Sequence, residues 1–213
     1  MRHYSFIDTL IKNVDTAVQT LLVPSHRASE RPFPDSEISD KPMSAKQKKH
    51  VASLMRVNHS GEVCAQGLYQ GQALTAKLPD VRERMNQAAL EEVEHLAWCE
   101  KRLSDLGYHP SVLNPLWYTA SLTIGALAGA IGDKWSLGFV VETERQVTKH
   151  LESHLSKLPE QDAKSSAILE QMKEDEMHHA DLALEAGGAE LPTPIKHLMT
   201  LVSKLMTKTS YHY

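Results

Sequence analysis

Glu92-Val93-Glu94-His95 and Glu176-Met177-His178-His179 each set a carboxylate and an imidazole three residues apart. On an α-helix that spacing is close to one turn, so the Glu and the His of each pair share a face. In a chain with 12 His and 27 Asp plus Glu, one such pair arises easily on a solvated helix. The rows around the pairs decide the reading. Glu92 and His95 fall in line with Val81, Met85, Ala88, Cys99, Leu103 and Leu106, and Glu176 and His179 with Ile168, Leu169, Met172, Ala183 and Ala186. Both pairs point at a core.

A carboxylate inside a core is costly unless charge or hydrogen bonds compensate it, and a metal ion would compensate several at once. Acids should then also interrupt the apolar faces of the other helices. Glu62 does so, in line with Met55, Ala65 and Tyr69. Farther on, Glu142 and Glu144 compete within the stripe Leu137, Val140, Val141, Val147, Leu151 and Leu155. At about 100° per residue Glu144 falls near the middle of that stripe and Glu142 roughly opposite. Glu144 is therefore the candidate.

With that choice Glu62 precedes Glu92 by 30 residues and Glu144 precedes Glu176 by 32, so one helical hairpin is used twice, each accounting for about one ion. A Glu from each of two helices and Glu-x-x-His from each of the others is the pattern of ferritin-like di-iron four-helix bundles. The six candidate ligands are Glu62, Glu92, His95, Glu144, Glu176 and His179. Four carboxylates and two ferrous ions cancel in charge, and oxygen and imidazole donors favour iron or manganese over a thiolate zinc site. Stripping the metal should raise the pKa of the clustered carboxylates, because like charges disfavour ionisation.

The fold class that follows is all-α, a four-helix bundle with amphipathic helices added at both ends. Ile7, Leu10, Ile11, Val14, Val18 and Leu21 mark an N-terminal helix within residues 1–22. Pro24, Pro32, Pro34 and Pro42 make 23–43 a linker. Ser44 and Gln47 form a capping box that opens the main domain, 44–213, and the first long helix, which should run to about Lys77. Leu78-Pro79-Asp80 turns the chain into a second helix ending near Gly107. A third is expected to reach Leu158, kinked around Gly132-Asp133, and Pro159 to begin a fourth that stops at Gly187-Gly188. The segment Ile195 to Lys208 sets Leu198, Val202 and Leu205 against Lys196, Lys204 and Lys208 as a basic amphipathic helix.

A net charge of -4 provides no basic surface for nucleic acid. The uncharged run from Leu116 to Gly132 is short for a span of about 20 apolar residues, which suits a buried or interfacial helix. Cys64 and Cys99 lie in helical segments and read as small hydrophobes in a reducing, cytosolic setting. His150, after Glu144, is a core residue or a relay beside the metals. His59 and His154 read as surface or outer-shell residues, and His178 as the solvent-side neighbour of a ligand.

The stretches Arg56-Val-Asn-His-Ser-Gly-Glu-Val-Cys-Ala65, Leu96-Ala-Trp-Cys-Glu100, Leu113-Asn-Pro-Leu116 and Ser203-Lys-Leu-Met-Thr-Lys208 resemble the demethoxyubiquinone hydroxylases of ubiquinone biosynthesis, in their bacterial branch. The resemblance covers roughly residues 45 to 213, and residues 23 to 43 carry none of it. It implies a monooxygenase that uses O2 to hydroxylate the ring of a polyprenylated methoxy-methyl-benzoquinone. It also implies two iron ions (Fe2+), with Glu62 and His95 on one, Glu144 and His179 on the other, and Glu92 and Glu176 bridging. The implied setting is peripheral, on the cytoplasmic face of the cell membrane. A polyprenyl quinone, the membrane surface, an electron donor or reductase, and other ubiquinone-biosynthesis proteins are the partners it suggests. One departure stands out: some members carry Tyr after the His matching His150, where this chain has Leu151. A ferritin-like iron store or peroxide scavenger is the rival reading, needing no route for an apolar substrate.

Overall fold

The computed structural model describes residues 6–22 and 27–213. Residues 1–5, 23–26 with Pro24, and the side chains of Ile7 and Leu10 lie outside the described residues. Seven helices follow in order: α1 Phe6–Leu21, α2 Ala45–Thr75, α3 Pro79–Leu106, α4 Asn114–Ile131, α5 Asp133–Leu155, α6 Ala163–Glu185 and α7 Thr193–Ser210. The capping box forms as read, with Ser44 accepting from the Gln47 backbone N–H and the Gln47 side chain accepting from that of Ser44. Gly107, at φ 81°, closes α3 in the left-handed region that favours glycine.

The four core helices are α2, α3, α5 and α6. Contacts along their lengths fix the directions. Gln66 meets Ala89 and Arg82 meets Ala76, so α3 runs back along α2. Gln72 donates to Ser136 and His154 pairs with Asn58, so α5 also descends against α2. Arg102 meets Ser165 and Cys99 meets Met172, so α6 rises against α3. This is the ferritin-like arrangement, two antiparallel hairpins joined by one long crossover.

The crossover corrects the reading of one long third helix. Gly132 sits at φ 143°, ψ 151°, and the chain reverses there rather than kinking. Asp133 fixes the reversal by accepting from the backbone N–H groups of Lys77 and Leu78, at 3.0 and 2.9 Å. Only α5 belongs to the bundle. The uncharged α4 lies outside it along α2, in the same direction, with Ser60 beside Asn114 at one end and Thr75 beside Ala126 at the other. A Cβ on Gly71 or Gly125 would run into the backbone of the opposite helix, so glycine sets this close approach. A second correction is that Pro159 opens a turn; α6 begins after Asp162, whose side chain caps it by accepting from Ser165 N–H.

The described part of the proline-rich stretch is irregular, as its composition implies, but it is bound to the bundle. Phe33 and Met43 pack against the Met55, Trp98 and Leu169 cluster, and Asp40 pairs with the buried Arg102 at 2.9 Å. Among the described residues no helix is long and apolar enough to cross a membrane.

Candidate metal centre

The core clusters lie above and below a band where the interior is ionisable rather than apolar. Glu62 of α2, Glu92 and His95 of α3, Glu144 of α5, and Glu176 and His179 of α6 meet there, none more than 6% exposed. Donor atoms of Glu62, Glu92, His95 and Glu176 all lie within 4.8 Å of one another, and so do those of Glu92, Glu144, Glu176 and His179. Glu92 and Glu176 are common to both groups. Each group takes three donors from one hairpin and a shared carboxylate from the other, which fits about one ion to each hairpin.

His95 Nδ1 faces inward, 3.1 Å from Glu92, 3.3 Å from Glu176 and 3.7 Å from Glu62. His179 Nδ1 does likewise, 3.3 Å from Glu176 and 3.5 Å from Glu92. The outward nitrogens are held crosswise. His95 Nε2 lies 2.9 Å from Asp175 on α6, and His179 Nε2 lies 2.5 Å from Glu91 on α3. Such carboxylate partners fix which ring nitrogen carries the proton and leave the other free to bind a metal. Tyr69 donates to Glu144 Oε1. Glu142 turns away, accepting from Gln146 at 2.7 Å and lying 3.5 Å from Lys196 on α7.

Protons divide unevenly over this cluster. Burial, then the charge of Glu92, pushes the Glu62 carboxyl well above its ordinary pKa, and burial with the neighbouring Glu176 does the same to Glu144. Burial also opposes ionisation of Glu92 and Glu176, yet the two imidazoles outweigh it and hold both low. His95 and His179 lose to burial and gain more from the carboxylates, with His179 raised to about 12. The expectation that all four carboxylates rise is thus met for two and reversed for two, because the histidines take up protons.

An apolar cavity of about 320 Å³ adjoins the band, between α2, α4, α5 and α7. Leu68, Ile124, Phe139, Val147 and Leu198 line it, and Glu62, Glu144 and Glu176 lie at its inner end. His150 lines it as well; its Nε2 is buried without a hydrogen-bond partner, and burial lowers its pKa to about 4. Cys64 is also on the wall, its thiol pushed up by burial to about 11. A smaller cavity of about 80 Å³ lies on another side, beside Glu91 and His179.

Several side chains lie where the sequence did not put them. His59 is fully buried and joins Glu100, 3.2 Å away, to Asn114 at 3.1 Å, so of the surface and outer-shell positions expected of it the surface one does not hold. His154 is 4% exposed, with its ring centroid 3.9 Å from that of His150. His178 is exposed, as read. Asp175 and Glu91 were missed, although a signal existed: an acid directly precedes the first Glu of both motifs. Tyr69 follows Glu62 by seven residues, two turns along one face. Arg31, which pairs with Asp175, sits in a stretch with no periodicity to read.

The family model for the ubiquinone biosynthesis protein COQ7 matches residues 49–210. Over 212 residues, 100% of this chain and of each relative, the chain is 60% identical to the 3-demethoxyubiquinol 3-hydroxylases of Legionella pneumophila (strain Corby) and Acinetobacter baumannii (strain SDF).

Proposed function

The chain belongs to the COQ7 family of ubiquinone biosynthesis proteins, and from that membership we propose that it hydroxylates the ring of a polyprenylated methoxy-methyl-benzoquinol with O2, using two ferrous ions. The donor set fits such a pair. Six oxygen and imidazole side chains converge in two groups with two shared carboxylates, and Glu92 Oε1 is buried with no hydrogen bond of its own. Glu62 and His95 would hold one ion, Glu144 and His179 the other, and Glu92 and Glu176 both. Bound there, the ions would supply the binding and reduction of dioxygen.

The protein's own part is to orient and to exclude. Asp175 and Glu91 keep the two imidazoles facing inward, and Tyr69 steadies Glu144. The apolar walls hold a quinol ring against the carboxylate band and keep bulk water away from it. His150, neutral at physiological pH, lines the same chamber with the His154 ring packed on it. With Leu151 buried in the core, no tyrosine follows it to carry an electron. The electrons come from the quinol ring or from a reductase partner.

One observation carries this reading over an iron store or a peroxide scavenger: three of the candidate ligands form the inner end of an apolar chamber, which neither of those activities uses. Mass spectrometry of quinones from cells lacking the protein tests it. A precursor without the added oxygen should accumulate, and an unchanged quinone profile overturns the assignment.

The same reading places the protein peripherally on the cytoplasmic face of the membrane, near other proteins of the pathway. Leu198, Leu201 and Leu205 of α7 are 57%, 64% and 58% exposed, beside the exposed Lys204 and Lys208, and Ile11, Val14 and Val18 of α1 are also outward. Apolar rows flanked by lysine suit an anionic lipid interface. Lys196, grouped with those lysines in the sequence, is instead drawn onto Glu142 and Glu190.

A further inference from the structure

The two metal positions offer the same donor types, yet the groups behind them differ, and the difference comes from residues 27–31. Glu94, the non-ligand acid of the first motif, is 8% exposed and holds this segment against α3. Its Oε1 accepts from the Glu30 backbone N–H at 2.8 Å, and its Oε2 from the Arg31 backbone N–H at 3.4 Å and from Ser29 Oγ. Arg27 secures the upstream end on Glu100, with Nη2 at 2.8 Å and Nε at 3.0 Å.

So held, the Arg31 guanidinium lies 4.9 Å from the Trp98 ring centroid and donates to both oxygens of Asp175, at 2.8 and 3.2 Å. Asp175 also accepts from Gln171 at 3.1 Å and from His95 Nε2 at 2.9 Å, so it is fixed from three sides. Glu91 stands in contrast. Its side chain is 40% exposed, its oxygen not bonded to His179 takes only Gln87 at 3.4 Å, and among the described residues no Lys or Arg nitrogen lies within 4 Å of it.

We propose that Arg31 is a positioning residue that makes the two metal positions unequal: by clamping Asp175 it orients His95 in advance, so the Glu62–His95 position binds a divalent ion more tightly than the Glu144–His179 position. This rests on the dinuclear reading above. A planar, two-pronged guanidinium fixes a carboxylate in a way an ammonium does not. The guanidinium also draws charge from Asp175 and weakens its pull on the His95 proton. Orientation outweighs that loss, because Asp175, 18% exposed, is held by Arg31 and Gln171 as well as by His95, while Glu91, for all its short contact to His179, has beside it only Gln87. Losing a partner of this kind costs about 10- to 100-fold in metal affinity.

The test is an anaerobic titration of the metal-free full chain with Co2+, followed by its visible d–d bands and by calorimetry. Wild type should take up two ions in steps about tenfold or more apart. Arg31→Met should weaken the tighter step, by no more than the about 10- to 100-fold that loss of Asp175 itself would cost, and leave the weaker one. Asp175→Asn, which keeps the side-chain shape, should reproduce that loss, Arg31→Lys should fall between, and Glu91→Gln should weaken the other step alone. Circular dichroism of the metal-free variants checks the fold. Two equal steps in wild type, or both steps weakened alike by Arg31→Met, overturn the inference while leaving the dinuclear site standing. Uptake of fewer than two ions by wild type overturns the dinuclear reading, and this inference with it.

Discussion

Loading the metal-free protein with two divalent ions should expel about four protons at neutral pH, because each ligand must lose its proton to bind metal. Glu62 and Glu144 are kept neutral by burial, and His95 and His179 are kept charged by the carboxylates around them. Glu92 and Glu176 are already ionised. Two imidazolium charges against two carboxylates sum to zero, as do four carboxylates against two divalent ions, so the exchange is four protons for two ions with no change of net charge. Affinity for the pair should then rise about 10⁴-fold per pH unit near neutrality, or about 5 kcal/mol at about 1.36 kcal/mol per proton. Anaerobic calorimetry in buffers of different ionisation enthalpy reads the count directly from the slope of observed heat against buffer heat. One proton or fewer per pair of ions would refute the protonation pattern, and with it the claim that the metal-free cluster is neutral.

Metal should also set the pH response of stability. In the metal-free protein His179 is raised to about 12, so its stabilisation is whole below about pH 6.5 and fades as pH rises above that. Thermal melts should therefore show a gap between loaded and metal-free protein that widens from pH 6.5 to 9, about 2–4 °C for each kcal/mol in a chain of this size; a constant gap would contradict it. Glu144→Ala should lose iron and quinol hydroxylation, whereas Glu142→Ala, which breaks part-buried contacts to Gln146 and Lys196 away from the carboxylate band, should keep most of both. The reverse pattern, read as iron per chain in folded protein, would reject the helix assignment. Leu201→Glu, on the outer face of α7, should reduce co-sedimentation with anionic vesicles, and unchanged binding would remove α7 from the interface. Gly125→Ala drives a methyl into the Leu68 backbone and should destabilise by about 1–3 kcal/mol in urea melts, while Gly61→Ala meets open space and should cost far less.

The candidate ligands were legible because burial and helical period act together. An acid in the row Leu137, Val140, Val141 and Val147 is anomalous in a way that its neighbour two residues back is not, so Glu144 could be separated from Glu142 before any coordinate. The crossover was less legible. Residues on both sides of Gly132 are good helix formers, and what turns the chain there is a backbone angle and a carboxylate that serves the α2–α3 turn. Arg31 was not legible at all. Its effect depends on a pairing 144 residues away in sequence, from a segment whose prolines announce only that it is irregular.

Asp175 and Glu91 trade places across the bundle: each half of the chain supplies the acid that steadies the other half's histidine. A hairpin cut free would keep its own Glu-x-x-His and lose the group that tells the ring which way to face. Coordination here is thus reciprocal, closer to a handshake than to two adjacent sockets. Substitutions at either acid should be felt first in the opposite half.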